Sequence, residues 1–162
     1  CRENSGRGGE GRALARSEVS DKVESHLMHF TFPQKVLFKH CDPAGIVFYP
    51  RFFEMINDAV ETMFGDVFGW PFEDMHPDAG VPTAGFNVRF RQPCRHGDQL
   101  DLHLTLTRLG GSSLSLTTRA VRQDAVCFEA DQTLVCVGGD GRPAPWPEHV
   151  RAKIEELMEA ST

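Results

Sequence analysis

Hydrophobic positions along this chain change period several times, and each change marks an element. From Phe30 to Lys39, Phe30, Phe32, Val36 and Phe38 alternate loosely with polar residues, which predicts a strand bent near Pro33. From Pro50 the period becomes helical. Phe52, Phe53, Ile56, Ala59, Val60, Met63 and Phe64 form one stripe, and Arg51, Glu54, Asp58 and Glu61 fill most of the other side. Pro50 suits the first helical position, where its missing N–H costs nothing, and Gly65 and Gly69 bracket the expected end. Trp70 to Pro82 holds three prolines and several acidic residues and reads as a connecting loop. Four strands follow, over Phe86 to Arg91, Gln99 to Arg108, Ser112 to Arg122 and Ala125 to Val137. The cleanest sets Leu100, Leu102, Leu104 and Leu106 against Asp101, His103, Thr105 and Thr107. Gly110-Gly111 and Gln123-Asp124 sit between strands as hairpin turns, so the strands should form an antiparallel meander. Gly138-Gly139-Asp140-Gly141 ends the sheet. Beyond it, near Pro147, Val150, Ile154, Leu157 and Met158 make the stripe of a second helix. The order predicts an α+β fold: a five-stranded antiparallel sheet wrapped around one long central helix, plus a C-terminal helix.

Composition adjusts this picture at one end. Residues 1–27 are rich in Gly, Arg, Glu and Ser and carry no period, so they read as a disordered or non-native extension. Met28 is the expected native start, and residues 28–162 are expected to form a single domain. A hydrophobic share of 40% and a charged share of 25% are ordinary for a soluble globular chain. The net charge of -6 argues against a general nucleic-acid partner. No apolar run approaches the ~20 residues that cross a bilayer, and the first residues lack a signal-peptide core. The five cysteines form no C-x-x-C pair, which favours reduced thiols in a cytoplasmic protein over a zinc ribbon or redox dithiol. His76, His96, His103 and His149 lack metal-site spacing, so no metal is expected.

The chemistry concentrates in His40-Cys41-Asp42-Pro43-Ala44-Gly45-Ile46-Val47-Phe48-Tyr49-Pro50. A carboxylate is followed by a Pro/Gly turn and then by a helix start, where unpaired N–H groups and a partial positive charge gather. That arrangement suits attack on a carbonyl whose oxygen becomes negative. Asp42 precedes Pro43 and is therefore biased toward extended backbone; its plain alternative is a turn-forming Asp-Pro. His40 and Cys41 are neighbours in an extended segment and point apart, which disfavours a Cys/His nucleophile. Gly45 reads first as a positive-φ turn residue. Asn57 falls on or beside the helical stripe, where a buried amide needs a ligand group, the sheet or a partner subunit to bond.

The run Cys41-Asp42-Pro43-Ala44-Gly45-Ile46-Val47-Phe48-Tyr49-Pro50 closely resembles the active-site segment of the 4-hydroxybenzoyl-CoA thioesterase family, and the resemblance extends over roughly residues 30 to 150. It implies a hotdog fold, thioester hydrolysis without metal or cofactor (coenzyme A being part of the substrate), and a homodimer or homotetramer with sites at the subunit interface. Asp42 matches the family's catalytic aspartate, as nucleophile or general base. Tyr49 matches the residue whose backbone N–H polarises the thioester carbonyl. Gly45, Ile46 and Val47 fall in the substrate-binding part of the segment. Asn57 stands where the hydroxybenzoyl enzyme has an aspartate that binds the phenolic hydroxyl. Gly110, Gly111 and Ser112 replace an Arg/Lys-rich hairpin that approaches the nucleotide phosphates; Arg89, Arg91, Arg95, Arg108, Arg119 and Arg122 are the other basic candidates.

The expected activity is therefore hydrolysis of an acyl-CoA, favouring an aromatic, benzoyl-type acyl group over a short or medium aliphatic one. A hotdog hydratase or dehydratase and a non-enzymatic acyl-CoA-binding protein are the rival classes. The first lacks its His/acid arrangement on the helix here; the second does not account for Asp42.

Overall fold

A computed structural model describes residues 29–162 of the chain. The expectations for residues 1–27 and for Met28 fall outside it. The strands are β1 (His29–Lys35), β2 (Ala79–Gly80), β3 (Thr83–Phe90), β4 (Gln99–Leu109), β5 (Ser113–Arg122), β6 (Ala125–Val135) and β7 (Val137–Gly138). The helices are α1 (Pro50–Asp66), α2 (Phe72–Met75) and α3 (Glu148–Glu159). Five strands make one antiparallel sheet in the order β1-β4-β5-β6-β3, with β2 and β7 in a separate two-stranded ladder.

Alternation decides the sheet's faces. Leu102 and Leu104 of β4, Leu114 and Leu116 of β5, and Phe128, Ala130 and Leu134 of β6 all turn inward and are buried. The helical stripe meets them: Phe52, Met55, Ile56, Ala59, Val60, Met63 and Phe64 of α1 are buried. Each large side chain so enclosed contributes about 1.5–3 kcal/mol. Phe64 lies at the centre of an aromatic cluster, 5.0 Å from Phe68, 5.7 Å from Phe72 and 6.2 Å from Trp146. The Trp146 indole donates to the Ser113 carbonyl at 3.3 Å, and Val150 and Ile154 of α3 complete that end of the core. The fold class is the α+β arrangement that the pattern predicts, a five-stranded antiparallel sheet on one long helix, as the resemblance to a hotdog fold implies.

Four boundaries differ from the pattern. β1 stops at Lys35, because Val36 is held by hydrogen bonds with Asp98 and Gly97 and the chain then makes a 3-10 turn over Phe38–His40. The loop from Trp70 to Pro82 contains α2 and β2. β3 begins at Thr83, ahead of Phe86. β6 ends at Val135, and Val137–Gly138 leave the main sheet to pair with β2. Among the described residues, no helix is long and apolar enough to cross a membrane.

Candidate active site

The segment after the 3-10 turn closes on itself. Asp42 N–H donates to the Ile46 carbonyl and Gly45 N–H to the Asp42 carbonyl, both at 2.9 Å. Gly45 has φ 78°, a backbone angle that side-chain-bearing residues resist, so the turn requires it. The Asp42 carboxylate accepts from the Ala44 amide at 2.8 Å through Oδ1, an Asx turn. Among the described residues no donor reaches Oδ2. Asp42 is half-buried; one carboxylate oxygen is fixed by the turn, and the other is bonded to none of the described residues.

Most amides of the following segment are committed to carbonyls. Gly45, Val47, Phe48, Arg51 and Phe52 each donate to a backbone oxygen, and Pro50 has no N–H. Only the Ile46 and Tyr49 amides, from Gly45 to Phe52, lack an acceptor among the described residues. Tyr49 is the residue immediately before α1, where the helix adds its partial positive charge. Of the two amides that precede Val47, Gly45's belongs to the turn and Ile46's is uncommitted. Val47 is buried and its amide bonds to the Cys94 carbonyl at 2.8 Å, so it contributes side-chain wall rather than a donor.

His40 and Cys41 support this loop without forming a reactive pair. The buried His40 ring accepts the Leu37 N–H at Nδ1 (2.8 Å), and its carbonyl accepts the Phe48 N–H at 2.9 Å. Burial, followed by the Lys39 charge, lowers the ring's pKa, favouring the neutral form that can accept at Nδ1. Cys41 is half-buried, with its thiol directed to the Leu37 carbonyl at 3.8 Å. Sequence reasoning gave His40 no role; its neighbourhood to Asp42 was the available signal, but only tertiary burial makes it a support.

Beyond the loop lies an apolar hollow lined by Ile46, Val47, Tyr49, Phe52, Phe90 and Cys94 among others. Phe90 sits 6.4 Å from the Tyr49 ring and 5.8 Å from Phe52, and farther along α1 and β3 Phe53 meets Phe86 edge-on at 5.2 Å. Tyr49, Phe86 and Phe90 are 59%, 38% and 50% exposed, an aromatic strip left uncovered within the chain. Asn57 lies one helical turn beyond Phe53 on the same side of α1. It is exposed, which corrects the expectation of a buried amide: the stripe through Ile56 and Val60 turns past it, leaving it at the margin.

The basic residues divide. Arg91 and Arg119 pair with Glu129 (2.9 and 3.4 Å), and Arg122 pairs with Asp98 at 2.7 Å. Arg95 is bridged to Ile46 and therefore borders the loop; like Arg89, it makes no ion pair among the described residues. The Gly110–Ser112 turn is at the far end of β4 from this loop, about 33 Å along the strand. There the Gly110 carbonyl accepts from Arg151 of α3 at 3.1 Å.

Three comparisons bear on this arrangement. A family model described as the thioesterase-like superfamily matches residues 36–154. A 1,4-dihydroxy-2-naphthoyl-CoA hydrolase of Nostoc punctiforme is 24% identical over 117 residues, covering 71% of this chain and 78% of that one. Among solved structures, a gentisyl-coenzyme A thioesterase superposes with a TM-score of 0.70 at 23% identity, covering 75% of this chain and 99% of that one. A 1,4-dihydroxy-2-naphthoyl-CoA thioesterase from Synechocystis gives 0.73 at 21% identity, covering 81% and 98%. A Staphylococcus aureus protein solved in complex with CoA gives 0.77 at 14% identity, covering 83% and 86%. At these identities the superpositions speak for the fold.

Proposed function

The chain belongs to the thioesterase-like superfamily and is a thioester hydrolase of the acyl-CoA class; from that premise we propose that it hydrolyses an aromatic acyl-CoA on the Asp42–Tyr49 loop. One observation carries the assignment of the loop: a carboxylate with one oxygen fixed and one open precedes a segment in which only Ile46 and Tyr49 keep uncommitted amides. In the proposed reaction the thioester carbonyl oxygen accepts from Tyr49 N–H, with Ile46 N–H as a second donor. Asp42 Oδ2 then either attacks the carbonyl carbon or takes a proton from the attacking water. On the first route the C–S bond breaks as a mixed anhydride forms on Asp42, and water then hydrolyses it to the free acid and restores the carboxylate; on the second the water oxygen bonds the carbonyl carbon directly as the C–S bond breaks, and in both the thiolate of coenzyme A leaves and is protonated. The amides oppose the charge that develops on oxygen, a donor of this kind contributing about 2.7–4 kcal/mol.

Support for an aromatic acyl group comes from the uncovered strip of Tyr49, Phe53, Phe86 and Phe90. The naphthoyl- and gentisyl-CoA enzymes named above act on aromatic thioesters. From Tyr49 to Asn57 is two helical turns, about 12 Å, which suits one aromatic acyl group with a hydrogen bond at each end. Asn57 is therefore assigned to the distal ring substituent, and Arg95, beside Ile46, to a phosphate of coenzyme A. The open edge of β3 is an eight-residue strand with Phe86 and Phe90 partly bare, a surface that folded proteins ordinarily cover. Pairing with β3 of a second copy would cover it and would put the acyl group between subunits, in a homodimer or a tetramer of such pairs.

The deciding experiment is a thiol-release assay over a panel of benzoyl-, naphthoyl- and straight-chain acyl-CoA esters. The expected result is release with the aromatic esters at kcat/KM at least tenfold above the aliphatic ones. Release confined to aliphatic esters overturns the aromatic assignment. Absence of release from every ester, with enoyl-CoA hydration or simple acyl-CoA binding instead, overturns the hydrolase.

A further inference from the structure

Two stretches of the chain meet beside the Asp42 loop and differ in charge from the rest of the molecule. Residues 35–41 and 91–97 hold Lys35, Lys39, Arg91 and Arg95 and no carboxylate, in a chain of net charge -6. Backbone bonds join them: Val36 N–H donates to the Asp98 carbonyl at 2.8 Å, and Gly97 N–H to the Val36 carbonyl at 2.9 Å. The second stretch ends in a tight turn in which Asp98 N–H donates to the Arg95 carbonyl at 3.0 Å and Gly97 takes φ 90°. The nearest carboxylate, Asp98, is taken by Arg122, and Arg91 is taken by Glu129. Lys35, Lys39 and Arg95 are exposed and form no ion pair among the described residues. Phe38 stands in this patch, 81% exposed and outside the packed core; among the described residues its ring neighbour is His96, edge-on at 6.0 Å. An open aromatic face among uncompensated cations complements a planar base that carries phosphates, since the base stacks and the phosphates take the cations.

The position of the patch fits the same ligand. The connection from β3 to β4 crosses the end of the sheet past β6 and β5, about 14 Å, and Ile46 is bridged to it at Arg95. Phe90 stands where this connection leaves β3, and His96 stands close to where it enters β4. A thioester whose carbonyl oxygen lies on the Ile46 and Tyr49 amides therefore has one flank toward the aromatic strip and the other toward Phe38. From Ile46 through Arg95 and His96 to the Phe38 ring is about 15 Å. A pantetheine arm, equivalent to four or five extended residues, reaches about that far.

We propose that Phe38, backed by His96, is the platform on which the adenine of coenzyme A stacks, with Lys39 joining Arg95 on its phosphates. The acyl group and the nucleotide then leave the Asp42 loop in opposite directions, one toward β3 and the other toward the junction of β1 and β4. The inference rests on the acyl-CoA reading and adds the site of the nucleotide.

The test is the ratio of kcat/KM for benzoyl-CoA over S-benzoyl-pantetheine, which carries the same acyl group and no nucleotide, in the wild type and in Phe38→Ala, Phe38→Tyr and Lys39→Gln. Calorimetric binding of free coenzyme A and of pantetheine to the same proteins accompanies it. The wild type should prefer the CoA ester by about tenfold or more, chiefly through KM. That ratio should fall about fivefold in Phe38→Ala and about threefold in Lys39→Gln, and Phe38→Tyr, which keeps a stacking face, should retain it. Added salt should lower the wild-type ratio and lower it less in Lys39→Gln. A merely structural Phe38 would depress both esters alike and leave the ratio unchanged, which overturns the inference. Equal use of the two esters by the wild type also overturns it and leaves the hydrolase standing. If neither ester releases thiol, the proposed hydrolysis falls, and the calorimetry decides the platform: coenzyme A bound more tightly than pantetheine, and weakened in Phe38→Ala, supports it, and equal or absent binding overturns it.

Discussion

At the scale of single residues, function and support are separable. Asp42 has one oxygen bound in its own turn and one open, whereas His40 sits behind it and holds Leu37 and Phe48 in place. If Tyr49 acts through its backbone as proposed, Tyr49→Ala should retain most activity, whereas Tyr49→Pro, compatible with its φ of -52°, should lower kcat by about 10²–10³ in steady-state assays. The His40 pKa is lowered in the folded chain, so the neutral ring's contribution is present above its unfolded value and is lost as pH falls through the folded one. Stability and kcat should therefore both decline on the acid side, and His40→Gln should flatten that limb of the pH profile. The turn at Asp42 was legible because Asp-Pro and Ala-Gly carry their conformational meaning locally. The open amides were not, since each depends on where every neighbouring N–H finds its acceptor.

Among the elements, α1 and the four later strands were legible because each has enough turns or alternations to establish a period. The four residues of α2 and the two of β2 cannot, and β2 takes its partner from the far side of the chain at Val137 and Gly138. β1 looked longer than it is because Val36 and Phe38 continue the alternation by coincidence; the hook of Val36 to Asp98 and Gly97 overrides it. Asp98 fastens this hook to β5 through Arg122 and accepts the Arg95 amide at 2.8 Å. Burial would raise the Asp98 carboxyl, but the Arg95 amide and the Arg122 guanidinium outweigh it and hold its pKa below the usual value. The stabilisation is present above the unfolded carboxyl's range and disappears as pH falls through the folded value. Asp98→Asn should lower Tm at pH 7 and shrink the loss of Tm on acidification, as read by thermal melts across pH 2–7. Phe64→Ala, which empties the centre of the aromatic cluster, should cost about 3–5 kcal/mol in denaturant unfolding.

For the whole molecule, the sheet wrapped around α1 has β3 at one of its two edges, and the aromatic strip of Tyr49, Phe86 and Phe90 lies partly exposed along that edge and the Asp42 loop. An assembly through β3 would account for both, and sedimentation should give two or four times the 18.1 kDa of one chain. Successive N–H groups of an edge strand point to opposite sides, so proline at Asn87 or at Val88 removes an outward donor in one case. That variant should sediment as a single chain and lose turnover together with assembly; an active monomer would place the site wholly within one subunit. None of this was available from the hydrophobic pattern, because Phe86, Val88 and Phe90 alternate as any half-buried strand does. The central claim is that the Asp42 carboxylate acts on the thioester, and thiol release by Asp42→Ala under saturating aromatic acyl-CoA tests it most directly. The expected result is a folded variant with wild-type Tm and kcat reduced by at least about a hundredfold, as loss of a nucleophile or general base requires. A folded Asp42→Ala protein that releases thiol at the wild-type rate would contradict it.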